Sequence, residues 1–93
     1  MTLKTIAYVL RELALDRGWL TLSSRLERDH VRVVLSQPGV RCRRVLLVCP
    51  LAVRELDSRG VTIAYRACQP AERAAAFLDL LSCEAHAATT EAA

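Results

Sequence analysis

Arginine is the residue type through which this sequence could do chemistry. Between Arg17 and Arg44 stand seven arginines against two acids, Glu27 and Asp29, whereas residues 69–93 hold one arginine and four acids. The charge is polarised along the chain even though the formal net charge is only +3. A guanidinium fork matches carboxylate and phosphate oxygens two at a time. Arg25, Arg28, Arg32, Arg41, Arg43 and Arg44 therefore form the candidate surface for an anion or an acidic partner. Against a nucleic acid stands the lack of aromatic residues among these arginines, since single strands are gripped by stacking as well as by charge. The plain alternative is a solvated face, because twelve arginines to one lysine is a preference of the whole chain.

The other chemistry-bearing residues assemble into less. Asp79, Cys83 and His86 fall at i, i+4 and i+7 and would line one face of a helix, but a metal site needs a fourth ligand that the sequence does not supply. Cys42, Cys49, Cys68 and Cys83 lie at wide, irregular spacings with no Cys-x-x-Cys pair, so reduced thiols are expected. His30 beside Asp29 reads as a turn residue, with no serine or cysteine placed to complete a triad. The three glycines, Gly18, Gly39 and Gly60, stand at element boundaries and form no phosphate loop. No catalytic residue, metal or cofactor is expected, and an enzyme is disfavoured.

The elements that must position these residues follow from periodicity. Leu3, Ile6, Ala7, Leu10, Leu13 and Ala14 keep a 3.6-residue stripe over residues 2–18, with Thr2 as N-cap, Gly18 as the stop and Trp19 covering the helix end. From Leu20 the period becomes two. Leu20–Leu26 and Val31–Leu35 read as a hairpin turning at Arg28-Asp29, with Leu26 opposite Val31, Ser24 opposite Val33 and Leu22 opposite Leu35. Arg25 and Arg32 then lie side by side on the outward face, a like-charge pairing that an anion or acid would relieve. Gln37-Pro38-Gly39 is a loop, and Arg41–Cys49 is a third strand whose unbroken apolar run suits burial on both faces.

Pro50 then opens a short helix over residues 51–59 that stops at Gly60. The rival is a strand, Ala52–Leu56, turning at Asp57–Gly60. Val61–Cys68 is the fourth strand, and Pro70 opens a last helix carrying Ala74, Phe77, Leu78, Leu81 and Ala85. Residues 87–93 have nothing to bury and should fray. The expectation is an α/β domain over residues 1–86, with α+β as the alternative, in the order α-β-β-β-α-β-α. Its sheet would be four-stranded and mixed, with an antiparallel hairpin and a strand-helix-strand crossover. Leu10, Leu22, Val33, Leu47, Ile63 and Phe77 should share its core.

The order of the first six elements is similar to that in the core of the PD-(D/E)xK nuclease superfamily. That superfamily places an acid near the second strand and an acid-x-Lys motif on the third. Asp29 could take the first position. The third strand, however, reads Arg41-Cys42-Arg43-Arg44-Val45-Leu46-Leu47, without acid or lysine to bind Mg²⁺, so the resemblance is one of element order and implies at most a degenerate or heteromeric nuclease-like subunit.

The longest apolar stretch, Val45–Val53, contains Pro50 and is about half the length of a membrane span. Arg11, Glu12, Asp16 and Arg17 interrupt any secretory leader, so the expected compartment is the cytoplasm. The sequence thus reads as a small non-catalytic module that binds a protein partner or a second copy of itself. Nucleic-acid backbone binding through the arginine-rich hairpin and third strand is the runner-up.

Overall fold

The computed structural model describes residues 2–83 and shows a small α+β fold of two helices on a five-stranded antiparallel sheet. The expected continuation of the last helix through Ala85 and His86, and the tail at 87–93, lie outside these residues. Helix α1 spans Leu3–Asp16. The Thr2 hydroxyl accepts from the Thr5 amide at 3.2 Å, satisfying one of the amides orphaned at a helix start. At the other end Gly18 takes φ 82°, which lets its own amide reach the Leu15 carbonyl and the Trp19 amide reach that of Ala14. Those two bonds make a Schellman cap and turn the chain sharply into the sheet.

The sheet is a simple meander of β1 (Leu20–Leu26), β2 (Val31–Ser36), β3 (Arg44–Cys49), β4 (Ala52–Leu56) and β5 (Thr62–Ala67). The expected crossover helix is absent, and its segment is β4. Pro50 and Leu51 form a tight turn between the paired residues Cys49 and Ala52. A proline with its fixed φ serves the second position of a turn as well as the first turn of a helix, so Pro50 alone did not discriminate. What decides is period two: Val53 and Glu55 are buried while Ala52, Arg54 and Leu56 are half-buried. The mixed four-stranded sheet is thereby replaced by five antiparallel strands, and the element order shared with the nuclease core goes with it.

The β4–β5 turn is tied by Asp57, whose carboxylate accepts from the Arg59 and Val61 amides at 2.8 and 2.9 Å. The Val61 amide is the main cause holding this carboxyl below its ordinary range. A short 3₁₀ turn, Pro70–Glu72, leads into helix α2, Arg73–Ser82, with the Glu72 carboxylate accepting from the Gln69 amide.

Both helices lie on one face of the sheet, α1 over β1 and β2 and α2 over β3 to β5. They run side by side in the same direction: Ile6 and Val9 line a groove with Pro70 and Ala74, and the Arg17 guanidinium donates to the Ser82 hydroxyl. The core between helices and sheet joins Ile6, Leu10, Ala14, Phe77, Leu80 and Leu81 to Val31, Val33, Leu35, Leu46, Val48 and Val53. Leu10, Val33 and Phe77 take their expected places there. Leu22 is exposed, Ile63 is half-buried, and Leu47, although buried, points to the other face.

A β-bulge explains Leu22. The β1–β2 register holds at Leu26–Val31, Arg25–Arg32 and Ser24–Val33, then slips so that Thr21 rather than Leu22 faces Leu35. The extra residue turns Leu22 outward and Thr21 inward. The Thr21 hydroxyl is buried without a hydrogen-bond partner among the described residues. Thr21→Val, which keeps the shape and removes the orphaned group, is therefore expected to leave stability unchanged or raise it by up to about 1 kcal/mol. Thermal denaturation checks this, and a clear loss of stability would show that the hydroxyl is bonded.

Candidate functional site

The face of the sheet away from both helices carries two rows of side chains, each crossing all five strands. Cross-strand register places Ser23, Val34, Val45, Leu56 and Thr62 in one row. The next row is Arg25, Arg32, Leu47, Arg54 and Tyr65, two residues along β1 to β4 and three along β5, where a second bulge skips Ile63. Successive strands are about 4.8 Å apart and two residues rise by about 7 Å. Each row is thus about 19 Å long, and the two lie about 7 Å apart. The first is largely apolar, and the bulge adds Leu22 at its β1 end. The second holds three arginines, with Leu47 at its centre and Tyr65 at its β5 end. Leu47 is only 9% exposed although no helix covers it. Its neighbours in register are the half-buried Arg32 and Arg54, whose aliphatic stems are long enough to cover it with the guanidinium heads in water.

The candidate arginines separate into three places. Arg25 and Arg32 are paired in register on this outer face, as the sequence reading expects. Arg25 also lies 3.7 Å from Glu27, but its side chain is 73% exposed, so the contact is weak. Arg28 is exposed in the β1–β2 turn, and Arg41 and Arg43 are exposed in the loop before β3. Arg44 is not on that surface. It is 2% exposed and donates bidentately to Glu55, Nη2 at 2.7 Å and Nε at 3.0 Å. Its remaining N–H groups reach the carbonyls of Leu80, Leu81 and Cys83 at 2.9, 3.0 and 3.2 Å, and the Trp19 ring centroid lies 5.2 Å from its Cζ. All five guanidinium donors are spent inside the fold, so Arg44 is structural.

Arg54 is the residue that sequence reasoning missed. Its place on an expected helix hid its alignment with Arg25 and Arg32, which the rival strand reading of Ala52–Leu56 would have shown. Arg66 faces the helices instead and donates to Asp79 at 2.6 Å, which removes Asp79 from any ligand set with Cys83. His86 lies outside the described residues, and among those described no three His, Cys, Asp or Glu side chains group as metal ligands. All four cysteines are free, and burial pushes the Cys68 thiol up. Asp29 and His30 do meet, Oδ1 to Nδ1 at 2.9 Å, and this bond holds the Asp29 carboxyl below its usual range.

No protein-family model, curated protein or solved structure matches this chain. Its chemistry is therefore that of its own surfaces. The outer sheet face can bury apolar side chains along one line and bind carboxylates or other oxyanions along the next. Among the described residues no helix is long and apolar enough to cross a membrane.

Proposed function

We propose that this chain is a small non-catalytic binding module of accessory, inhibitory or regulatory type, acting through protein–protein interaction at the outer sheet face. The observation that carries this reading is the pair of rows: an uncovered apolar line beside an arginine line whose charges have no close acidic partner on the same face, among the described residues, apart from the weak Arg25–Glu27 contact. A partner supplying both apolar contact and carboxylates would bury the first and relieve the Arg25–Arg32 repulsion. The module is expected in the cytoplasm, where thiols at such spacings stay reduced. A second reading, nucleic-acid backbone binding, rests on the exposed Arg25, Arg28, Arg41 and Arg43 together with Arg32, but has no use for the apolar row.

Affinity capture from native lysate, with and without nuclease treatment, tests this with the wild type, Val34→Asp and Arg25→Ser/Arg32→Ser. The arginine pair variant should stay folded, the relief of the Arg25–Arg32 repulsion offsetting the Arg32 stem lost from Leu47, while retaining less of the same proteins, and Val34→Asp should retain least. The reading is abandoned if nuclease releases everything bound, or if both variants retain what the wild type retains.

A further inference from the structure

We infer that the occupant of the outer sheet face is a single amphipathic helix of another protein, apolar along one stripe and rich in Asp and Glu along its flank. This rests on the protein-binding reading above and names the chemistry of the partner.

Size selects a helix. The face is about 19 Å across its five strands, and strands of five to seven residues make it about 17–23 Å the other way. A footprint of roughly 400 Å² is half the share per partner of a standard interface between folded domains. One helix of three to four turns, about 10 Å wide, runs the length of the face and covers both rows, which lie about 7 Å apart. On its other face this same sheet is covered by helices, so its pleat and twist already accept them. A helix seated on Val34, Val45 and Leu56 has its flanking side chains about 5 Å from its axis, above the row of Arg32 and Arg54.

Charge selects the flank and excludes a second copy. Two copies meeting through this face would set Arg25, Arg32 and Arg54 against each other, and the register places no acid between them in either row. Like charges brought together out of water are strongly unfavourable and suppress the wrong partner. A carboxylate, by contrast, accepts a guanidinium fork bidentately. The presence of Leu47 and Tyr65 among the arginines of one row also suits a side-chain surface of mixed character better than an evenly charged phosphate backbone.

The test is selection from a displayed library of helical peptides with a fixed leucine stripe and randomised flanks, using the immobilised full chain. Asp and Glu should be enriched on one flank. The selected peptide should bind Arg32→Ser/Arg54→Ser at least about tenfold more weakly than wild type, and should lose binding to Val34→Asp and to Leu22→Ser. The second of these changes an exposed residue and leaves the fold intact. Neutral or basic flanks, or equal affinity for the arginine variant, would overturn the acidic helix while leaving the face as the binding site. The acidic helix is equally overturned if an oligonucleotide displaces the peptide and binds more tightly, or if sedimentation shows the free chain dimerising in a way that Val34→Asp abolishes. Undiminished binding to both Val34→Asp and Leu22→Ser would place the site elsewhere and remove the protein-binding reading of this face as well.

Discussion

Arg44→Ala is expected to destabilise the protein by about 3–5 kcal/mol, because it strands the Glu55 carboxylate in the core without its partner. Glu55 is 2% exposed, and among the described residues the only hydrogen bonds to its side chain come from Arg44. The same change removes the Arg44 donors from the carbonyls of Leu80, Leu81 and Cys83 at the end of α2, where Leu80 keeps the Cys83 amide at 3.2 Å. These two losses can be separated. Arg44→Met/Glu55→Leu removes the buried charge together with its counter-charge, so it should recover the part due to Glu55. The part due to the helix end should remain. Denaturant midpoints of the wild type, the single and the double variant measure both. A loss under about 1 kcal/mol for Arg44→Ala would mean that water reaches Glu55 and that the pair is not part of the core.

Phe77→Ala should cost a similar amount, about 3–5 kcal/mol, by a different route. Phe77 is fully buried and belongs to the cluster in which α2 meets the sheet. Its removal leaves a cavity between two rigid layers, and neither layer can close it without breaking its own hydrogen bonds. Against a total stability of about 5–15 kcal/mol for a small domain, either substitution brings the fold near its limit. Leu47→Ala should cost clearly less than Phe77→Ala, since Leu47 is shielded only by arginine stems on a face without a second layer. Equal thermal midpoints for Phe77→Ala and Leu47→Ala would show that the outer face has a core of its own.

The contrast between these sites shows where the sequence was informative. Helix α1 and the β1–β2 hairpin were legible because their apolar residues repeat cleanly. Arg25 opposite Arg32 followed from that register alone. β4 was not legible because its inward positions are Val53 and Glu55, and an inward acid erases the alternation that marks a strand. Its partner Arg44 was misplaced for the matching reason: each charge is admissible in the core only because of the other, and a single sequence does not show that they meet. The loss of β4 hid Arg54, so the arginine row was seen as a pair. The bulge at Leu22 was equally hidden, since a strand with one extra residue has the same composition as one without.

The parallel course of α1 and α2 sets like helix ends side by side. Peptide dipoles sum along each helix to about half a negative charge at its C-terminal end. Two helices side by side in the same direction therefore repel at both ends, and an antiparallel pair would not. This fold gathers cations where the negative ends meet. Arg17 follows α1 and reaches across to Ser82 of α2, while Arg44 lies beneath, against Trp19 at the exit of α1 and on the last carbonyls of α2. Arg44 thus joins the negative end of α2 to one carboxylate and, through the Trp19 ring, to the residue that leaves α1.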